Sequence, residues 1–172
     1  MPRMQPAVFA EFLQQPHIGV LASLRSDGRP YTVPVWWLWN EGVIWVTGTH
    51  TRVWCQQIKR DPRVSLCIEA TGPVPGHIEF DGIAEVLTLP EFDIWPISRE
   101  LAEKYVGRND PHRAPAVDAF FANMQTEPRL LLRITPTVTR AIDMRVYRGK
   151  KADREYQERM RPGASGDRPA PR

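Results

Sequence analysis

The stretch HIGVLASLRSDGRPYTVPVWWLW, His17–Trp39, decides the fold. Its first eight residues read as a strand, with apolar residues set among small ones. RSDGRP (25–30) supplies an Asp-Gly pair, and glycine's tolerance of positive φ suits a tight hairpin turn. YTVPVWWLW (31–39) is then the partner strand. NEG (40–42) makes a second turn into VIWVT (43–47). Turns of two or three residues join only antiparallel strands, so this region reads as an antiparallel meander. Strand 31–39 carries Tyr31, Val33, Val35, Trp37 and Trp39 on one face and Thr32, Pro34, Trp36 and Leu38 on the other. Both faces are apolar. One can fill a barrel, while the other needs a cover from the chain's own helices, a ligand or another subunit. Pro34 lacks a ladder donor and places the strand at an edge or an interruption.

Further along, PRVSLCIEA (62–70) and HIEFDGIAEVL (77–87) alternate as strands, and the Asp-Gly at 81–82 marks a bulge or a barrel corner. RLLLRITP (129–136) and VTRAIDM (138–144) read as a final strand pair. Helices are expected at 6–14, where Val8, Phe9, Phe12 and Leu13 share a face, and after the 48–51 loop. Two more are expected at about 90–106, broken or started by Pro96, and at 114–124. Antiparallel strands with few helices predict a mostly β fold with peripheral helices, a closed or nearly closed barrel.

The chain's 172 residues suit one domain, assigned to 1–144. A pI near 9.1 suggests nucleic acid until the charge is located. Residues 145–172 hold nine Lys/Arg and four Asp/Glu, whereas residues 1–144 are slightly acidic. The basicity belongs to a C-terminal tail rich in Pro, Gly and Ala, read as largely disordered, whose mixed charges argue against a nucleic-acid arm. No apolar run is long enough to span a bilayer, and the N-terminus lacks a secretory apolar core, so a cytoplasmic location is expected. Cys55 and Cys67 read as buried reduced thiols, and His17, His50, His77 and His112 are too scattered for a metal site.

One loop carries chemistry. GTHTRVWCQQIKR (48–60) sets small hydroxylated residues before a short basic helix. Thr47, Thr49 and Thr51 offer hydroxyls, with Thr51 in the expected N-cap position. A helix N-terminus presents unpaired N–H groups and partial positive charge, and Arg52 adds a bidentate donor. Arg52, Gln56 and Lys59 form one stripe, and Trp54 and Ile58 an apolar pair. A phosphate seat and a capped surface helix with an Arg on its wet face both fit these residues.

The ordered set IGVLASLRSDGRPYTVPVWWLW, GVIWVT, TRVWCQQIKRDPRVSLCIE and HIEFDGIAEVL resembles the flavin-binding split-barrel family, which includes pyridoxamine phosphate oxidase and the deazaflavin-dependent reductases. The resemblance covers about residues 8–143. It implies a homodimeric split β-barrel with two cofactor sites at the subunit interface, binding FMN or coenzyme F420 (the deazaflavin). The implied activity is an oxidoreductase's hydride transfer to or from a small-molecule substrate, with no catalytic side-chain pair demanded. Trp36, Trp37, Trp39 and Trp45 suggest that this substrate is flat and apolar. The family implies that backbone of Pro34, Val35 and Trp36 lies along the ring, and that Thr47, Thr49, Thr51 and Arg52 hold the phosphate. His77 falls near a position where the oxidases carry a polar residue reaching the ring; a strand residue at a barrel mouth is the alternative. Pyridoxamine phosphate oxidase activity itself is not expected, because no substrate-phosphate motif ends the barrel. One departure stands out: the family places a Lys beside or just after the Arg, and here that position holds Val53 or Trp54. The departure opens an alternative function, a non-catalytic split-barrel protein that binds haem or another planar ligand.

Overall fold

The computed structural model describes residues 3–72 and 74–147. Most of the expected basic tail, 148–172, lies outside the described residues. The chain runs α1 (Pro6–Gln14), β1 (Gly19–Leu24), β2 (Pro30–Val35), β3 (Leu38–Asn40), β4 (Val43–Thr49), α2 (Val53–Arg60), β5 (Arg63–Ala70) and β6 (Gly76–Leu87). α3 (Trp95–Ala102) continues into a π-helical turn, Glu103–Gly107, and α4 (Ala114–Met124) precedes β7 (Arg129–Asp143).

The strands form one antiparallel sheet in the order β2-β1-β5-β6-β7-β4-β3. β2 and β3 are neighbours in sequence yet occupy opposite edges, joined only by Trp36 and Trp37. Three Cα steps reach at most about 11 Å, whereas seven strands laid flat would span about 29 Å. The sheet must therefore curl until its edges meet at that link. The result is a split barrel, closed by the chain rather than by a β2–β3 ladder.

Three expectations need correction. The stretch 31–39 is two strands, because Trp36 and Trp37 leave the ladder at the seam. The meander otherwise keeps its order around the curled sheet, β1-β2 then β3-β4, with chain rather than ladder between β2 and β3. The final strand pair is one strand, β7, along which Pro136 sits opposite Gly82 at a bulge between Asp81 and Gly82. A bulge accommodates a residue without an N–H, which is why Pro136 does not end the strand. Gly82 is required there, since a Cβ would lie 2.7 Å from the Thr135 carbonyl oxygen. The third helix begins at Trp95, later than expected.

Alternation sorts the side chains. Leu21, Leu66, Ile68, Ile78, Phe80, Ile44, Val46, Leu130, Leu132 and Ile134 fill the interior, joined by Phe12 and Leu13 of α1 and Trp54, Cys55 and Ile58 of α2. The outer face has two unlike halves. Across β2, β1, β5, β6 and β7, one row of register partners is Pro34, Val20, Cys67, Glu79 and Arg140. Pro34, Val20, Cys67 and Arg140 are exposed and Glu79 half-buried, so Cys67 is not the buried thiol expected. At the seam the helices supply cover. Trp36 stacks on Tyr105 (centroids 4.8 Å apart, 3° between planes) and lies 5.3 Å from Phe120, while Trp45 stacks on Phe92. Of the three covers the Trp-rich segment could take, the chain's own helical layer supplies one.

Candidate cofactor seat at the start of α2

β4 hands over to α2 through a tight turn. The His50 N–H donates to the Pro128 carbonyl (3.0 Å) and the Arg52 N–H to the Thr49 carbonyl (3.1 Å). Arg52, not Thr51, is the N-cap, and no side chain caps the helix. The Thr51 hydroxyl instead lies 3.1 Å from that of Thr49, a local hydroxyl pair that competes with capping. The first N–H groups of α2 thus remain without a side-chain acceptor. Thr47 donates to the Leu130 carbonyl at 3.4 Å. Thr47, Thr49, Thr51 and Arg52 are therefore brought to one turn, with Thr51 and Arg52 exposed and Thr49 buried.

The helix is firmly placed. Ser23 donates to the buried Gln57 side chain (2.7 Å), and Arg60 donates to the Leu24 carbonyl (2.6 Å). Gly48 lets α2 press against β4, since a Cβ there would sit 2.5 Å from the Cys55 sulfur and 2.8 Å from the Trp54 ring. Burial pushes the Cys55 thiol up to about 11, so it is a neutral packing group. Trp54 is buried and Val53 is 58% exposed, so only the latter faces outward where the family carries its Lys. Gln56 donates to the His50 carbonyl, and Lys59 Nζ lies 3.1 Å from His50 Nδ1. Two of the three residues of the expected stripe, Gln56 and Lys59, thus fold back on the loop.

Pro34, Val35 and Trp36 approach from the other side of the seam. Leu38 is opposite Trp45, so stepping back from Leu38 to Trp36 runs the same way as stepping forward from Trp45 to Thr47. The ring-strand residues and the hydroxyl run lie toward one end of the seam. His77 lies away from the hydroxyl run, although it is one step from the row of register partners Val35, Gly19, Ile68 and Ile78. It begins β6 opposite Ile142, whereas Thr47 is level with Leu131 and Leu87 at the other end. Ten residues of strand separate the two positions, about 33 Å if straight. His77 instead lines a cleft of about 840 Å³ with Arg3, Phe9, Glu79 and Arg140, its Nε2 3.7 Å from Glu79.

The seam itself holds a polar clamp that sequence reasoning missed. The Trp37 N–H donates to the Tyr105 hydroxyl (3.1 Å), which lies 2.8 Å from the His17 carbonyl; Trp37 Nε1 donates to the same carbonyl (2.8 Å). Burial pushes the Tyr105 phenol well above its usual value, so it stays protonated. Lys104 donates to the Leu13 carbonyl (2.9 Å) and lies 3.6 Å above the Trp37 ring, while burial lowers its pKa to about 7. The Trp face and the carbonyl favour the ammonium that burial opposes. His17 is lowered by burial and by Lys104. These residues are far apart in sequence, and no local pattern pairs them. All four Trp of the supposed substrate surface are absorbed by packing: Trp37 and Trp45 are buried, Trp36 lies on Tyr105 and Trp39 on Phe80.

A second missed residue is Arg129. It is the register partner of Thr49, pairs with Glu127, and has a buried Nε without an acceptor among the described residues. Its only sequence signal was a cation at the head of the apolar run RLLL. Hydroxyls, helix N–H groups and guanidinium together form a donor set that suits a phosphate.

A family model described as pyridoxamine 5'-phosphate oxidase matches residues 6–143. Among solved structures, the conserved hypothetical protein Rv2991 of Mycobacterium tuberculosis is 28% identical, with a TM-score of 0.65 over 83% of this chain and 86% of that one. An F420 reductase is 22% identical, with a TM-score of 0.56 over 81% and 98% of the two chains. HutZ, the haem storage protein of Vibrio cholerae, is 19% identical, with a TM-score of 0.58 over 80% and 93%. The latter two likenesses concern the fold alone. No curated protein matches the chain significantly. Among the described residues, no helix is long and apolar enough to cross a membrane. The match along residues 6–143, with the curled seven-stranded sheet it coincides with, makes this chain a member of the pyridoxamine 5'-phosphate oxidase family.

Proposed function

We propose that this protein is an oxidoreductase that uses FMN or the deazaflavin F420, with residues 1–144 acting as one split-barrel domain. The observation that carries the reading is the uncapped start of α2 beside the paired Thr49 and Thr51 hydroxyls, with Arg52 exposed at the N-cap and Thr47 two residues before, toward the seam end nearest Pro34–Trp36. The fold likeness to an F420 reductase and to an FAD-binding protein of Mesorhizobium loti supports the class of ligand. A bound flavin or deazaflavin supplies the hydride chemistry, and the protein binds, orients and shields it. In this reading Thr47, Thr49, Thr51 and Arg52 grip the phosphate, and backbone of Pro34, Val35 and Trp36 sets the ring plane. The bare half of the outer face packs on a second copy, which brings His77 of one protomer toward the seat of the other and excludes water. The substrate is a small molecule taken beside the ring.

Fluorescence titration with FMN and F420 tests this. The wild type should bind one of them. Arg52→Glu, which puts a repelling carboxylate at an exposed N-cap, should lose about 2–5 kcal/mol of affinity without unfolding. Unchanged affinity would place the phosphate elsewhere. The absence of a basic residue at Val53 and Trp54 favours a second reading, a haem or planar-ligand binder, and fold likeness extends to HutZ and to HupZ of Group A Streptococcus. A haem Soret band with no response to either flavin would establish that reading instead.

A further inference from the structure

The seat lacks the family's first-turn Lys, and the structure offers a cation from an unexpected direction. Arg129 opens β7 directly across the ladder from Thr49. Residues directly opposite in an antiparallel pair project from the same face, with Cβ atoms about 5 Å apart, so the Arg129 stem runs beside the Thr49 side chain. The ladder extends one step further, through the His50 N–H to the Pro128 carbonyl, which draws the 127–128 corner against the 50–51 turn. The Arg129 side chain is only 11% exposed. A guanidinium has five N–H donors. Glu127 engages Nη2, but Nε is buried with no acceptor among the described residues. Glu127 is 40% exposed, so its carboxylate can leave for solvent.

We propose that Arg129 is the second cation of the phosphate seat, in place of the missing Lys, and that Glu127 is an internal counter-ion which an incoming phosphate displaces. This rests on the reading of the Thr47–Arg52 turn as a phosphate seat. A phosphate monoester carries several acceptor oxygens and a charge near −2 at neutral pH, so it satisfies Nε and Nη2 together, which the Glu127 pairing leaves undone. The arrangement discriminates: with the carboxylate in place, only a ligand that brings a strong anion gains the guanidinium.

Three ligands separate the possibilities: FMN, riboflavin (the same ring without phosphate) and inorganic phosphate. Arg129→Gln should weaken FMN binding about tenfold or more while leaving riboflavin unchanged, and Arg129→Lys should recover part of the loss. Glu127→Gln should tighten FMN and inorganic phosphate severalfold, and that gain should vanish when combined with Arg129→Gln. Should Arg129→Gln fail to fold, the Glu127→Gln titration decides alone, because the Arg is intact there. Equal losses for FMN and riboflavin, or no tightening in Glu127→Gln, would make Arg129 a structural ion pair and overturn the proposal. If neither flavin nor F420 binds but inorganic phosphate raises the melting temperature of the wild type and not of Arg129→Gln, the cofactor reading falls while the cation assignment stands. If inorganic phosphate has no such effect either, both fall.

Discussion

The two halves of the sheet's outer face share one backbone alternation and are finished differently. At the seam, Trp36 is roofed by Tyr105 and Phe120 and Trp45 by Phe92, aromatic partners from the same chain. Across β2, β1 and β5, the outward residues Pro34, Val20, Ser65 and Cys67 are exposed and Ala22 is half-buried. Ile18 and Val20 are 47% and 44% exposed. The covered half has spent its apolar surface internally; the bare half has kept it. The proposed second copy would pack on the bare half, and stability should be sensitive to the covered one.

The largest effect is expected from Val20→Asp, placed in the middle of the bare half. If that half is the dimer interface, the mass by light scattering should fall from a dimer to the 19.7 kDa monomer, because a charge is buried without a partner. The unfolding free energy of the monomer should move by no more than about 0.5 kcal/mol. A dimer that persists would assign the interface elsewhere. Tyr105→Phe addresses the covered half. It leaves the Trp37 N–H without its acceptor and should cost about 1–3 kcal/mol in denaturant unfolding. A loss as small as that of an ordinary surface substitution would mean that the seam is held by stacking alone.

Lys104 sharpens the same contrast through pH. Its folded pKa is about 7 against an ordinary 10.5, lowered by burial. Between those values the unfolded chain holds a proton that the folded chain does not, so stability should rise with pH across that window. Thermal melts at several pH values should show this slope in the wild type and a flatter profile in Lys104→Met. An identical slope would remove Lys104 as its source. The smallest effect is expected from Thr51→Ala. Arg52 is the N-cap and no side chain caps α2, so the melting temperature should not change, where a true cap would cost about 1 kcal/mol.

Local pattern made part of this molecule legible. Val8, Phe9, Phe12 and Leu13 share a face and define α1 to the residue, and the alternation of RVSLCIEA gives β5 with Val64, Leu66 and Ile68 inside. Asp81–Gly82 announced its bulge because only glycine fits beneath the Thr135 carbonyl. The break between β2 and β3 was not legible. Both faces of residues 31–39 are apolar, so alternation carries no phase there, and the break is fixed by Tyr105, 68 residues from Trp37. Nor could β7 be seen as one strand, because Pro136 reads as a turn unless its bulged partner is known. Within the seat, the hydroxyl run and Arg52 were visible as a contiguous string, whereas Arg129 reaches Thr49 only through a ladder between residues 80 positions apart.

That ladder also governs how the protein can be made. β3 has three residues, and β4 has no other neighbour until β7 lies between it and β6. Every hydrogen bond joining the β3–β4 hairpin to the rest of the sheet therefore passes through the last strand of the barrel to leave the ribosome. During synthesis the hairpin is held to the growing sheet by its chain links alone, Trp36–Trp37 on one side and the turn into α2 on the other, with no ladder to its neighbours until Arg129–Ile134 emerges and shuts the barrel.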